Sequence, residues 1–348
     1  MSRFFTRKDL PDVGLTFDDV LLVPNKSTMR SRRDPLLSTR ITKKISKHLP
    51  VISANMDTIT EQDMVIAIDQ MGGFGILHRF MSIENQIEQV KTIIKSGVTE
   101  FSASIGVQDS DWERAEALVE HGVPVLTVDI AHGHSLAMLE VIERIKSKWN
   151  HIEVIAGNVA TPHGTADLIN AGADAIKVGI GPGSMCTTRV ITGCGMPQMT
   201  AIAMCSLEAD RFDIPVIADG GIKTSGDIVK ALSAGASCVM LGSLLSGTLE
   251  TPGLIEKGHK LYRGMASKSA QASWRGGVPK GMAAEGESTK IPVKGPVTQV
   301  IEELMGGLRS GMTYLNASSI SEIRDNASFM RMTSAGFSES RAHGLSQY

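Results

Sequence analysis

One short stretch of glycines, hydroxyl groups and a single thiol carries the strongest chemical signal in this chain of 348 residues. It runs Gly179-Ile-Gly181-Pro-Gly183-Ser184-Met185-Cys186-Thr187-Thr188-Arg189. A cysteine just beyond a strand-like run, among small and hydroxylated neighbours, can meet a ligand. Nearby N–H groups can also lower its pKa. Cys186 is therefore the candidate nucleophile. The turn is not a dinucleotide fingerprint, because no GxGxxG leads into a helix, and it is not a P-loop, because no GK[ST] follows. It exposes backbone carbonyls instead, and those of Gly181, Gly183 and Cys186 could ligate a monovalent cation such as potassium. The remaining cysteines read as small buried fillers: Cys194, Cys205 in a helix, and Cys238 in a core strand. No CxxC pair occurs, so neither a disulfide nor a structural zinc is expected. His132 and His134 stand two apart without a third ligand, which does not make a metal site.

A second group of residues suits a phosphate. Ala218-Asp219-Gly220-Gly221 and Leu241-Gly242-Ser243 each end a strand-like run. The three glycines would let backbone N–H groups approach phosphate oxygens, and Ser243 adds a hydroxyl. Asp219 suits ribose hydroxyls, since a carboxylate accepts two hydrogen bonds.

These residues must be held by something, and the chain supplies a regular frame. Eight short β-branched runs recur: 49–55, 73–78, 99–106, 123–130, 153–159, 175–181, 214–221 and 237–244. Helix-period segments separate them, such as Asp109 to Glu120, which opens with acids and closes before Gly122. Several runs are apolar throughout, as parallel strands buried on both faces are. Eight alternating units in this length predict α/β architecture, a closed (β/α)8 TIM barrel over residues 1–348 as one domain. Such barrels hold phosphate after strands seven and eight, where Asp219 and Gly242 fall. From Thr248 to Lys294 the chain is rich in Gly, Ser and Lys with weak periodicity, so residues 264–295 are expected to form a functional lid. A closing helix is expected over Val297–Leu308, and a mobile tail over residues 335–348.

Composition excludes some functions. Hydrophobic residues make up 42% and charged residues 21%, enough for a full core, and the formal net charge is −2. No basic tract supports nucleic-acid binding; Arg30, Arg32 and Arg33 read as a solvated loop. No apolar run reaches bilayer length, and Met1 to Leu10 lacks the apolar core of a signal peptide. A cytoplasmic protein without membrane partners is expected.

Taken together, the cysteine loop, Ser53-Ala-Asn-Met-Asp57, Ala218-Asp-Gly-Gly221, Gly242-Ser243 and Gly306-Gly-Leu-Arg-Ser310 resemble the inosine monophosphate dehydrogenase/guanosine monophosphate reductase family, over about Leu15 to Leu315. The resemblance implies a homotetramer, a Cys186 thiolate that attacks C2 of a purine nucleotide, and a nicotinamide cofactor. It further implies nucleotide contacts from Ser184, Asp219, Gly220, Gly221, Gly242, Ser243, Met265, Ser267 and Gly286. Cofactor contacts would come from Arg79, Asp129, Ile130, Ala131, Asn158 and Gly181, with Arg79 placed to neutralise the extra phosphate of NADPH. Thr188 and Glu285 would move the proton.

The family performs two reactions. Dehydrogenases turn IMP into XMP with NAD and water; reductases turn GMP into IMP and ammonia with NADPH. Most dehydrogenases carry paired CBS motifs after the second strand, and here only Arg79 to Val98 separates strands two and three. Dehydrogenases hydrolyse their intermediate with an Arg-Tyr pair on a flap, and no such dipeptide lies between Gly264 and Gly295. The lid is closer to the reductase pattern, with its shorter spacing from Ser267 to Glu285. Ile217-Ala-Asp-Gly-Gly-Ile222 and Arg309-Ser-Gly-Met312 look instead like bacterial dehydrogenases, and Met282 replaces an arginine that reads the purine in many reductases. The lid favours GMP reductase. The alternatives are an IMP dehydrogenase without CBS motifs, and a nucleotide-binding regulator that has lost catalysis.

Overall fold

A computed structural model describes residues 13–340. The eight apolar runs form strands β1 (Val51–Ser53), β2 (Phe74–Leu77), β3 (Ser102–Ile105), β4 (Val125–Asp129), β5 (Glu153–Val159), β6 (Ala175–Val178), β7 (Val216–Asp219) and β8 (Cys238–Leu241). Each pairs in parallel with the next, and β8 returns to β1 with Val239 opposite Val51, so the sheet closes into a barrel. Every residue of β1, β2, β3, β6 and β8 is buried. That double burial is why these strands lack alternation in sequence. β5 spans the expected residues 153–159, and the other strands stop short of the expected ends. β6 leaves the ladder after Val178 because Gly179 takes φ +155°, and a Cβ there would fall 2.0 Å from the Asp219 carbonyl oxygen.

The helices around the barrel are α1 (Gln62–Gln70), α2 (Ile83–Lys95), α3 (Asp109–Glu120), α4 (Leu136–Lys148), α5 (Pro162–Asn170), α6 (Gln198–Ala209), α7 (Ser225–Ser233) and α8 (Val297–Leu315). Their starts are written in the side chains. Ser82 caps α2 by accepting from Asn85 N–H, and Thr224 with Asp227 forms a reciprocal cap on α7. Only residues 78–82 lie between β2 and α2, so no further module is inserted there. Among the described residues no helix is long and apolar enough to cross a membrane.

Two expectations need correction. The closing helix does not stop at Leu308 but continues to Leu315, burying Met312 and Leu315. Its glycines mark close packing rather than an end: a Cβ on Gly311 would sit 2.6 Å from Val229 of α7. The stretch after β8 is not an unstructured loop. His259–Arg263 pairs antiparallel with Ser288–Pro292, and a helix spans Lys268–Arg275 between them. Lys260 is buried in the first strand, where its ammonium donates to the carbonyls of Thr248, Leu249 and Thr251 at 2.6–3.0 Å. A lysine at an inward position hides the alternation that would announce a strand. Ser334–Glu339 is a short helix, while residues 341–348 of the expected tail and the Met1–Leu10 stretch lie outside the described residues.

At the C-terminal mouth of the barrel sits a charged cluster built around Lys177 of β6. Its side chain is 3% exposed, and its ammonium lies 2.7 Å from Asp129 Oδ1 and 2.8 Å from Asp219 Oδ2. It also donates to Asn158 Oδ1. Asn158 Nδ2 donates to the same Asp219 oxygen at 2.9 Å, and Asn55 donates to Asp129 Oδ2 at 2.9 Å. Burial alone would lower the lysine's pKa, but the two carboxylates outweigh it and raise it; burial likewise opposes the Asp129 charge, and Lys177 holds that carboxyl below its usual range.

The cluster therefore stabilises the fold between the acid and alkaline limits. The Asp129 contribution is present above its unfolded pKa and is lost as pH falls through the lowered folded value. The Lys177 contribution is present below its unfolded pKa and is lost as pH rises through the raised one. Lys177→Met should cost about 3–5 kcal/mol near neutrality, because two desolvated carboxylates then face each other unpaired. The Asp129 pKa would rise, so the variant should regain stability relative to wild type between about pH 7 and pH 5. Thermal unfolding across that range checks this, and a variant whose deficit grows on acidification would contradict it.

Candidate functional site

Cys186 lies beyond β6 on a turn whose shape is set by an arginine. Arg189 Nε donates to Ile180 O at 3.3 Å and its Nη2 donates to Met196 O at 2.5 Å, which folds the cysteine loop back on itself. The arginine side chain fills the space beside Gly181, where φ is +79° and a Cβ would meet Arg189 Cγ at 2.5 Å. Cys186 N–H donates to Gly183 O at 3.0 Å, and the short helix Thr188–Thr192 starts immediately after.

The thiol is exposed and begins a hydrogen-bonded chain. Cys186 Sγ donates to Thr188 Oγ1 at 3.2 Å, and Thr188 Oγ1 donates to Glu285 Oε2 at 2.8 Å. Glu285 is 97 residues further on, yet its place is fixed by main chain on both sides. Its carbonyl accepts from Thr187 N–H at 3.1 Å, and its N–H donates to Ala266 O at 3.0 Å. Glu287 N–H reaches Met185 O at 2.9 Å, and Gly286 bridges both Cys186 and Ser267. Gly286 is needed for that approach, since a Cβ would stand 3.1 Å from Ser267 N and 3.2 Å from Met185 O. Thiol, hydroxyl and carboxylate thus form one continuous hydrogen-bonded chain.

The phosphate candidates also converge. Gly220 and Gly221 both have positive φ, and Gly220 packs against Pro182 and Gly183 of the cysteine loop. Tyr262, which sequence reading missed, joins this corner: its hydroxyl bonds Ser184 Oγ at 2.9 Å and lies 3.7 Å from where a Gly242 Cβ would be. Burial raises the Tyr262 pKa against the lowering effect of its bonds to Ser184 and Ser243. The signal for Tyr262 was the exposed–buried alternation of 259–263, legible only once the hairpin is known.

Arg263 was missed as well. It ion-pairs with Asp57 after β1, Nε to Oδ2 at 3.1 Å, and donates to Ser269 O at 2.9 Å and Ser273 Oγ at 2.7 Å. Met265 Sδ accepts from Asp57 N–H at 3.3 Å. Together they tie the helix Lys268–Arg275 to the barrel rim. Ser267 is buried and caps that helix by accepting from Ala270 N–H.

The cofactor candidates divide. Asp129 and Asn158 belong to the Lys177 cluster, while Arg79 and Ile130 line a separate cavity of about 730 Å³. Ala131 is exposed and belongs to neither lining. Met282 is 59% exposed. Arg275 ends the helix Lys268–Arg275 and lines the same cavity. Cys194 is exposed rather than a buried filler, because it follows the Gly193 turn at the surface. Cys205 and Cys238 are buried as expected, and burial pushes the Cys205 thiol up to about 12. His134 pairs with Asp167 at 2.7 Å.

Comparison with known proteins agrees with this geometry. The family model described as IMP dehydrogenase / GMP reductase domain matches residues 14–343. The inosine-5′-monophosphate dehydrogenase of Cryptosporidium parvum is 42% identical, covering 95% of this chain and 95% of that protein. That of Borreliella burgdorferi is 39% identical, covering 95% and 97%. Among solved structures, GMP reductase from Trypanosoma brucei, crystallised with guanosine 5′-monophosphate, superposes with a TM-score of 0.89 at 32% identity, over 96% of this chain and 98% of that one. A matching cysteine loop, a closed (β/α)8 barrel and relatives of equal coverage place the chain in the IMP dehydrogenase/GMP reductase family of oxidoreductases.

Proposed function

We propose that this chain is a GMP reductase that converts GMP to IMP and ammonia with NADPH. The observation that carries the reading is the hydrogen-bonded chain Cys186–Thr188–Glu285, held in place by main-chain bonds from the segment after β8. The thiol proton passes through Thr188 to Glu285, and the Cys186 thiolate adds to C2 of GMP. Glu285 returns that proton through Thr188 to the 2-amino group, which leaves as ammonia and not as the unstable amide anion. The thiol's one proton is the proton the amine needs, so the step balances and leaves a thioimidate on Cys186. NADPH supplies the hydride to C2 when bound; the sulfur then leaves and IMP is released.

The supporting residues fall into place around this. Gly220, Gly221, Gly242, Ser243, Ser184 and Tyr262 would hold the phosphate, Asp219 the ribose, and Met265, Ser267 and Gly286 the purine side. Asp129, Ile130, Ala131, Asn158, Gly181 and Arg79 would face the cofactor. The carbonyls of Gly181, Gly183 and Cys186, on the loop that Arg189 clamps, would be the ligands of a potassium ion. Residues 264–295 act as a lid that excludes water, because a wet thioimidate would hydrolyse to XMP. The enzyme would work as a homotetramer in the cytoplasm.

A second reading, IMP dehydrogenation with NAD, is favoured by the names of the 42% and 39% identical relatives. It requires a base that activates water on the lid, and the Arg-Tyr pair associated with that role is missing between Gly264 and Gly295.

Two variants test the mechanism. Cys186→Ala should abolish turnover of GMP with NADPH while GMP still binds, as measured by calorimetry; turnover within about tenfold of wild type would end the covalent mechanism. Glu285→Gln should lower kcat by roughly 10²–10⁴ with GMP affinity changed far less. Weakened GMP binding with an unchanged rate at saturation would reduce Glu285 to a ligand contact.

A further inference from the structure

Main chain carries Glu285 to Thr188, and that main chain needs an anchor of its own. Glu285 N–H donates to Ala266 O at 3.0 Å, and Ala266 lies on the short connection between the strand His259–Arg263 and the helix Lys268–Arg275. Gly264 N–H donates to Glu287 O at 3.0 Å, and Ser267 N–H turns back onto Gly264 O at 3.0 Å. A side chain enters the same knot. Gln271 is buried, and its Nε2 donates to Ala266 O at 2.7 Å, the carbonyl that already accepts from Glu285. The helix and the Glu285 backbone therefore share one acceptor.

Arg263 grips this unit from the barrel side. Its Nη1 holds Ser269 O and its Nη2 holds Ser273 Oγ, both on the helix, while Nε lies 3.3 Å from Asp57 Oδ1 and 3.1 Å from Oδ2. The carboxylate belongs to the barrel and not to the lid. Asp57 stands in a tight turn after β1, where Met56 N–H donates to Ala54 O at 2.8 Å and the N–H groups of Ile59 and Thr60 both reach Met56 O, at 2.9 and 3.0 Å. Thr60 Oγ1 closes the turn on Ala54 O at 2.6 Å, and Asn55 ties it to Asp129. Asp57 is thus fixed to the strand ends and cannot follow a moving lid. A guanidinium fork on a carboxylate sets direction as well as distance. The two side chains are 13% and 11% exposed, so salt screens this pair far less than a surface one.

We infer that Arg263 is a positioning residue for proton transfer: its ion pair with Asp57 and its hold on the helix fix Ala266, and Ala266 fixes Glu285 at Thr188. This rests on the proposed role of Glu285 in moving a proton. Among the described residues Arg263 has no hydrogen bond to Cys186, Thr188 or Glu285, so its effect passes through the frame between them.

A double-mutant cycle on kcat tests this. It is run with GMP and NADPH, or with IMP and NAD if the wild type turns over only that pair. Arg263→Leu should lower kcat by roughly 10²-fold, the effect of displacing a reacting group by about an ångström. Arg263→Lys keeps the charge without the fork and should recover part of the loss. In a Glu285→Gln background, Arg263→Leu should cost less than about threefold more, because the group it places is already disabled. Asp57→Asn enters the same pair from the barrel side and should show the same non-additivity with a smaller loss. Hydrogen exchange reads the placement without turnover. Arg263→Leu should speed exchange at the Gly264, Glu285 and Glu287 amides by about tenfold or more, while the amides of β3 and β4 keep their wild-type rates. Losses that multiply in the cycle, or unchanged exchange at those three amides, overturn the inference, as does exchange that quickens throughout the barrel. A Glu285→Gln enzyme with the wild-type kcat sinks the proton-transfer reading and this inference with it; a slow Glu285→Gln enzyme with multiplying losses sinks the inference alone.

Discussion

A single buried ammonium organises the mouth of this barrel. Lys177 sits between Asp129 at the end of β4 and Asp219 at the end of β7, and without it two desolvated carboxylates would face one another. A buried charge pair contributes little net stability on its own, since desolvation offsets most of the attraction. What the arrangement does is fix positions. Asn158 and Asn55 complete the carboxylates' bonding, and the bonds on Asp219 fall on Oδ2, leaving Oδ1 without a partner among the described residues. Under the proposed function these two acids face different ligands, the nucleotide and the cofactor. One lysine then sets the separation across which a hydride must pass, and misplacement by even an ångström at that gap lowers the rate steeply.

The second constraint is long-range. Glu285 reaches Thr188 because main-chain bonds from residues 185–187 and 264–267 trap residues 285–287 between them. Main-chain bonds position a carboxylate more firmly than a flexible side chain reaching from a loop would. The same bonds cover the cysteine loop. Chemistry that must keep water away from a reactive thioimidate gains both effects from one ladder.

How much of this was legible depends on the range of the interaction. The barrel was legible because β-branched runs buried on both faces look alike wherever they occur, and the Asp109–Glu120 helix announced itself through its acids and Gly122. Cys186 was legible from its neighbours, and Thr188 and Glu285 through the resemblance of the loop and lid to a family. Lys177 was not, because a lysine inside an apolar run looks like an interruption; only the carboxylates brought across the barrel explain it. The hairpin of 259–263 with 288–292 was hidden by the 24 residues between its strands and by Lys260 on its inner face. Tyr262 and Arg263 went unseen for the same reason. The end of α8 was misjudged at Leu308; Gly307 and Gly311 let the helix continue close against α7, where added Cβ atoms would meet Ser225 and Val229.

The central claim is that this site delivers a proton to an amine and does not activate water. Its most direct test starts from IMP and an oxidised nicotinamide cofactor, which form the Cys186 thioimidate by removing hydride from C2. The fate of that intermediate is then followed by quenching and chromatography, with and without added ammonium. The account predicts a covalent adduct that yields GMP when ammonium is present and very little XMP when it is absent. Sustained, multiple-turnover formation of XMP would contradict it and identify the chain as an IMP dehydrogenase.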